Sequence, residues 1–359
     1  MIELKAIRVS RLRVLAVVGT LACGVFWSTA CGPEGPPREV GSEGAVAIPE
    51  APLPPPTEWV PLVGEYATGT DTLSLLEDEQ NLYVLFWKGG GQALRPASDS
   101  TFELTGNGGI LTVRREGGGK VEGLALGNRT FQRLSLGGAE GETFQITPLR
   151  PPAELRAEAL ASLPPVEEGD FLPADLVEVV NLNPTIRLDV RYASTNNFMG
   201  EVFYSSPRAF LQRPAAEAVV RAHEWLRERG YGLLIHDGYR PWYVTKMFWD
   251  ATPEALRNFV ADPASGSRHN RGCAVDLTLY DLETGDVVMM PAGYDEMSPR
   301  SHADFPGGTT RQRWYRKLLR DALEAQGFQV YPDEWWHFDY EDWSRYRIGN
   351  EVFEEIGLG

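Results

Sequence analysis

Cysteine and histidine are scarce in this sequence, and positive charge is outnumbered. There are three cysteines in 359 residues, and two of them, Cys23 and Cys31, lie near the N-terminus. If those two belong to a leader, Cys273 stands alone and no intramolecular disulfide can form. Cys273 falls in the small-residue stretch RGCAVD, which favours simple packing over a nucleophilic role. Lys and Arg number 34 against 50 Asp and Glu, a formal charge of −16. That balance argues against a nucleic-acid partner, because binding a phosphate backbone requires clustered cations. The acidity reads simply as solubility. With only five histidines, any constellation that uses two of them is informative.

The N-terminal apolar run VLAVVGTLACGVFW, residues 14–27, is too short to span a bilayer comfortably. Lys5, Arg8, Arg11 and Arg13 precede it, and small residues, STAC, close it. Residues 1–30 therefore read as an export signal. Small residues before a cysteine, then a Pro/Gly/Glu-rich tether over 31–58, resemble a bacterial lipoprotein signal. The resemblance implies lipidation of Cys31, a membrane anchor and an exported location in the cell envelope. The box is imperfect, with Ser28 three positions before Cys31, and TLAC at Cys23 is a weaker candidate. A conventionally cleaved signal and an uncleaved anchor remain alternatives.

Residues 59–149 alternate in short runs punctuated by glycine, such as DTLSLLED, NLYVLFW, GILTVRRE and RTFQRLSL. Six or more closely spaced strands predict a small antiparallel β-barrel or sandwich. The segment loosely resembles the small barrel appended to serine-β-lactamase-like proteins. It holds no His, no Cys and no paired carboxylates, so a non-catalytic accessory module is expected. A Pro/Glu/Ala-rich linker over 150–175 leads to a second domain, 176–359, where helical and strand periods mix. Ala215, Ala218, Val219, Ala222 and Leu226 share one helical face and Gly230 stops it; Trp314, Leu318, Ala322 and Ala325 share another, stopped by Gly327. A buried strand follows each, so this domain is expected to be α+β.

The chemistry concentrates in two segments of that domain. In SRHNRGCAVDLTLYD, His269 precedes a strand whose alternation sets Asp276 on the face opposite Val275 and Leu277. Alone the pair could be metal ligands or ordinary polar residues. In EWWHFDY, His337 supplies a second imidazole, with Glu334 three positions before it. Hydrolytic zinc needs three protein ligands, an open position for water and a carboxylate that takes the water's proton, and this set meets that need. In a straight strand positions 334 and 337 face opposite sides, so the chain must turn near Pro332 to Trp335 for both to reach one metal. His223, His236 and His302 read as structural, on a helix, at a strand end and in a loop.

SRHNRGCAVDLTL fits Ser-x-His-x-x-Gly-x-Ala-x-Asp and EWWH fits Glu-x-Trp-His. Together they resemble the D-Ala-D-Ala metallopeptidase superfamily, with its hedgehog-like fold. DVRYASTNNFMG, IHDGYRPW and AGYDEMSPRSH are similar to segments of its VanX-type dipeptidase branch. The resemblance implies one Zn2+ per chain on His269, Asp276 and His337, with Glu334 as general base and then acid. It implies Arg240 against the developing oxyanion, Asp295 as anchor for the substrate ammonium, and Ser267 near the substrate. Arg240 could instead be an ion-pair partner of Asp237, and Asp295 could cap a turn. The implied substrate is a D-amino-acid dipeptide such as D-Ala-D-Ala. The rivals are a carboxypeptidase or endopeptidase acting on peptidoglycan, and a non-catalytic, zinc-stabilised wall-binding lipoprotein.

Overall fold

The structure, a computed structural model, describes residues 50–356 apart from 70, 87, 88, 107, 118 and 137–142. The export signal, Cys23, Cys31 and the tether up to residue 49 lie outside the described residues. No helix among the described residues is long and apolar enough to cross a membrane.

The first unit is a closed barrel of eight antiparallel strands: β1 (Gly64–Thr68), β2 (Asp71–Asp78), β3 (Asn81–Phe86), β4 (Gly90–Pro96), β5 (Thr101–Leu104), β6 (Ile110–Arg115), β7 (Val121–Leu126) and β8 (Arg129–Arg133). Alternation drives the closure. Tyr66, Leu73, Leu75, Leu82, Val84, Leu111, Val113, Leu124 and Phe131 point inward and are buried. Pairing of Tyr66 and Ala67 with Arg133 and Gln132 joins β8 back to β1, which makes the unit a barrel rather than a sandwich and leaves no free edge. The β2–β3 hairpin turns on Glu79 and Gln80, both with positive φ, 47° and 63°. A two-residue turn of this hand matches the strand twist, although Asn-Gly is its usual sequence. Here it is held by outside contacts: the Gln80 N–H donates to Glu77 Oε1 at 2.7 Å and the Glu79 N–H to Thr310 Oγ1 at 2.8 Å.

The segment 150–175 is not the linker expected from its composition. It contains helix α1 (Pro152–Ala161), whose Leu155 and Ala159, one turn apart, bury in the same cluster as Val244, Met247 and Phe248. Farther on, Glu167 accepts from Arg271 Nη2 at 2.6 Å and from the Ile348 N–H at 2.8 Å. Proline and charge disguised a stretch that packs through two small apolar contacts.

The second unit continues with β9 (Leu176–Glu178), α2 (Val179–Leu182), β10 (Arg187–Leu188), β11 (Phe210–Gln212), α3 (Arg213–Arg227), β12 (Tyr231–Asp237), α4 (Trp242–Ala251), β13 (Ala274–Asp281), α5 (Thr310–Glu324), β14 (Phe328–Tyr331) and β15 (Glu334–Tyr340). Five strands form a mixed sheet in the order β10-β12-β13-β15-β14, with β10 parallel to β12 and the other pairs antiparallel. Leu233, Ile235, Val275, Leu277, Leu279 and Phe338 join the buried sides of α3 and α5 in one core. Ala325 is the C-cap of α5 and exposed; Leu323 is buried there instead. A second, aromatic cluster of Tyr192, Phe198, Phe203, Tyr204, Tyr239 and Phe248 gathers around α4. Asp276 stands on a sheet position that alternates with the first core.

His223 illustrates how a histidine is used for structure. It is fully buried, its Nδ1 accepts from the Leu233 N–H at 3.0 Å, and its Nε2 lies 2.9 Å from Thr185 Oγ1. Burial, with Arg227 nearby, depresses its pKa from 6.5 to about 4. The folded state therefore holds it neutral while the unfolded chain takes up the proton first. Its contribution to stability is complete above pH 6.5 and shrinks as pH falls toward 4, by on the order of 1–3 kcal/mol. Urea unfolding at stepped pH should show a decline between pH 6.5 and 4 that is partly flattened in His223→Gln. Superimposable pH profiles for the two proteins would contradict this.

Candidate active site

Three adjacent strands share one cross-strand rung. Asp276 on β13 pairs with Asp237 on β12 to one side and with His337 on β15 to the other. The β12–β13 register shifts between Ile235 and Asp237, and this bulge brings Asp237 onto the rung. His269 comes from a 3-10 turn, residues 269–271, just before β13. Gly272 ends that turn with φ +67°, and a Cβ there would lie 2.5 Å from Leu176 Cδ2. The motif's glycine therefore answers both a left-handed backbone and a close approach.

Three donor atoms converge. His269 Nε2 is 3.1 Å from His337 Nδ1 and 3.3 Å from Asp276 Oδ1, and His337 Nδ1 is 3.1 Å from Asp276 Oδ1. Donors about 2.0–2.1 Å from a tetrahedral zinc stand about 3.3 Å apart, so the triangle already has the size the ion requires. Both imidazoles are also fixed from behind. His269 Nδ1 lies 2.7 Å from the Gly238 carbonyl and His337 Nε2 lies 2.9 Å from Asp339 Oδ1, each contact turning the other ring nitrogen toward the shared point. Asp276 is 2 % and His269 1 % exposed, so three such donors this close in a dry site fit a cation. Burial pushes the Asp276 carboxyl up, but His269 and His337 outweigh it and hold it well below the usual carboxylate range.

Glu334 stands beside this triangle, its Oε2 3.7 Å from His337 Nδ1. The parity obstacle is removed within β15 itself. Val330 pairs with Phe338 and Tyr331 with Glu334, so residues 335–337 have no partner on β14. The irregularity thus lies between Glu334 and Phe338, later than the expected turn at Pro332 to Trp335. Burial raises the Glu334 pKa to about 7, against the pull of His337.

Arg240, 8 % exposed, is bound through Nη2 and Nε to Asp237 Oδ2 at 2.8 and 3.0 Å, and its Nη2 is 3.8 Å from Asp276 Oδ2. It is both the structural ion-pair partner of Asp237 and a cation beside the metal triangle. Tyr204 donates to Asp237 Oδ1 at 2.8 Å, fixing the pair from the far side. Asp295 has a left-handed backbone, φ +56°, and Tyr192 donates to its Oδ2 at 2.8 Å. No Lys or Arg among the described residues forms an ion pair with it. Burial, reinforced by the charge of Asp276, drives its pKa well above the usual range. A largely enclosed carboxyl without such a partner can accept a cation. Ser267 Oγ accepts from the His269 N–H at 3.2 Å, so it braces the turn that presents His269.

The family model described as D-ala-D-ala dipeptidase matches residues 173–353. This chain belongs to that family. A D-alanyl-D-alanine dipeptidase of Escherichia coli is 35% identical over 179 residues, 50% of this chain and 91% of the relative. One of Enterococcus faecium is 36% identical over 177 residues, 44% of this chain and 87% of the relative, and one of Streptomyces coelicolor is 35% identical over 192 residues, 48% and 93%. Members of this family are zinc metallopeptidases, and the donor set here fits that ion. The barrel lies outside the family match.

Several residues of this dipeptidase-family site had no role assigned in the sequence. Asp339 had a signal, since it shares strand parity with His337 two positions away. Tyr294, which donates to Asp276 Oδ2 at 3.0 Å, and Tyr192 had none, because tertiary folding alone brings them in. Cys273 is fully buried and its thiol is pushed up to about 12 by burial, which suits packing. His236 stacks on Tyr294 with ring centroids 4.5 Å apart, and His302 lies 3.7 Å from Asp333, both away from the triangle.

Metal analysis of the purified protein should find about one zinc per chain, lost in His269→Ala and in His337→Ala because two remaining ligands hold the ion poorly. Asp339→Asn should keep the site but weaken zinc by about 10- to 100-fold in a chelator competition. Full retention in both histidine variants would contradict the assignment.

Proposed function

We propose that this chain is a zinc-dependent D-alanyl-D-alanine dipeptidase, exported and lipid-anchored, that hydrolyses D-Ala-D-Ala or a closely related D-amino-acid dipeptide to free amino acids. The observation that carries the reading is Glu334: a largely enclosed carboxyl with a pKa near 7, 3.7 Å from a nitrogen of the metal triangle. A purely structural zinc site has no use for such a group, which speaks against a non-catalytic wall-binding protein. The names of the relatives support the same substrate.

Zinc, when bound, supplies Lewis acidity toward the peptide carbonyl and makes water a better nucleophile. Glu334 takes the proton of the attacking water and then delivers it to the departing amine nitrogen as the C–N bond breaks. Arg240, locked by Asp237, presents a fixed positive charge to the oxygen that becomes negative. Asp295 receives the substrate's free ammonium, and the neutralisation of a buried charge favours a substrate that ends there. That requirement favours a dipeptide over the terminus of a longer wall peptide, as in the carboxypeptidase and endopeptidase alternative. The N-terminal sequence supports export, and Cys31 is the residue for lipid attachment.

Glu334→Gln should retain zinc and folding and lose about 10²–10⁴-fold in turnover of D-Ala-D-Ala. Unchanged turnover would refute the mechanism, and loss of zinc would mean that Glu334 is a ligand. Cleavage of free D-Ala-D-Ala should far exceed release of D-Ala from a pentapeptide; the reverse ratio would favour the carboxypeptidase. In cells, Cys31→Ser should abolish fatty-acid labelling and membrane retention, whereas persistent labelling would point to Cys23.

A further inference from the structure

The loop from Pro291 to Ser301 carries two groups of the site, Tyr294 on Asp276 and Asp295 for the ammonium. It lacks strand or α-helical structure, and Asp295 sits in a left-handed conformation that favours glycine. Something must hold it. Arg300 spans the loop's base: its Nη2 donates to the Pro291 carbonyl at 2.9 Å and its Nε lies 3.3 Å from Glu296 Oε1. Glu296, 2 % exposed, also accepts from Ser298 Oγ at 2.5 Å and from the Gly293 N–H at 3.2 Å. Ser301 Oγ donates to its carbonyl.

The remaining hand of Arg300 reaches into the barrel. Its Nη1 is 3.3 Å from Oε2 of Glu65 on β1, and Glu65 is 7 % exposed. No described group donates a hydrogen bond to that oxygen, so its contact with Arg300 is an ion pair. A carboxyl buried at a domain junction is unfavourable unless its pairing is kept, here with Arg300 and more weakly Arg133, and an apolar residue would serve the barrel's own packing better. The barrel is positioned for this contact at a second place. The Thr310 N–H donates to Glu77 Oε2 at 2.9 Å, the Glu77 N–H to the Gly308 carbonyl at 3.1 Å, and Arg313 Nη2 pairs with Asp78 Oδ1 at 2.6 Å. The β2–β3 hairpin is thus seated on the start of α5, and its unusual turn is stabilised by the same contact.

We propose that Glu65 of the barrel is a positioning residue of the dipeptidase, acting through Arg300 to fix the loop that presents Asp295 to the substrate. The inference rests on the dipeptidase reading above and revises the barrel from accessory module to part of the substrate-anchoring apparatus. It also means that residues 173–353, the part shared with the family, are not the whole of this enzyme's anchoring machinery.

The test uses the full-length, zinc-loaded protein with D-Ala-D-Ala as probe. Glu65→Ala should raise KM about 3- to 30-fold, the range for residues that act through packed intermediates, with kcat and zinc content close to wild type. Arg300→Gln, which also removes the contacts to Pro291 and Glu296, should raise KM at least as much, and adding Glu65→Ala to it should change KM little further. Glu122→Ala, at a barrel residue whose one ion pair among the described residues is with Arg114, should leave KM alone. Glu65→Gln keeps the volume and serves if the alanine variant folds poorly. Unchanged KM in a folded Glu65 variant, or full additivity with Arg300→Gln, would overturn the proposal. Amide hydrogen exchange over residues 291–301 reads the bracing without any turnover: it should accelerate in Glu65→Ala, and unchanged exchange would overturn the proposal. Absence of D,D-dipeptide turnover in the wild type would instead overturn the functional reading, leaving the exchange measurement to decide the bracing.

Discussion

Everything in the site depends on one rung of the mixed sheet, where Asp237, Asp276 and His337 lie side by side on three strands. Register alone places them, because a one-residue slip in any of the three strands would turn its side chain into the opposite core. The rung is electrostatically unbalanced. Asp237, Asp276, Asp295 and Glu334 crowd a buried space with Arg240 as the permanent cation among them. Negative charge on all four at once is unfavourable there, which is why burial raises the pKa values of Asp237, Asp295 and Glu334. It becomes favourable once a divalent cation and a substrate ammonium enter, so the same arrangement that burdens the fold selects its ligands.

Much of this was legible in the sequence, and the physics explains which part. The three donors that converge and Glu334 sit in two short motifs, so His269, Asp276 and His337 could be named as candidate ligands before any fold was known. The helix faces of α3 and α5 follow from a 3.6-residue period. What stayed hidden depends on tertiary placement. Tyr192 reaches Asp295 from about a hundred positions away, and Arg240 proved to be both an ion-pair partner and a site cation, a choice the sequence could not make. The bulge at residues 335–337 was needed on parity grounds, yet its location was set by pairing with β14. The helix α1 was masked because proline and charge dominate a segment that packs through only Leu155 and Ala159.

The barrel shows the converse problem. Its fold could be read from alternation and glycine, but its lack of histidine, cysteine and paired carboxylates suggested that it stood apart from the chemistry. Its contribution is mechanical. Two of its acidic residues, Glu65 and Glu77, face the catalytic unit, one at Arg300 and one at the start of α5. Composition cannot distinguish an acidic residue that solvates a surface from one that braces a neighbouring loop, since the difference lies only in where the strand points it.

The rung and the adjacent turn bring two imidazoles and one carboxylate to one point, a donor set for zinc without sulfur. X-ray absorption at the zinc edge of the loaded protein tests it most directly. Nitrogen and oxygen neighbours at about 2.0–2.1 Å are expected, with imidazole outer-shell scattering for two histidines. A sulfur neighbour near about 2.3 Å, or scattering from fewer than two imidazoles, would contradict it.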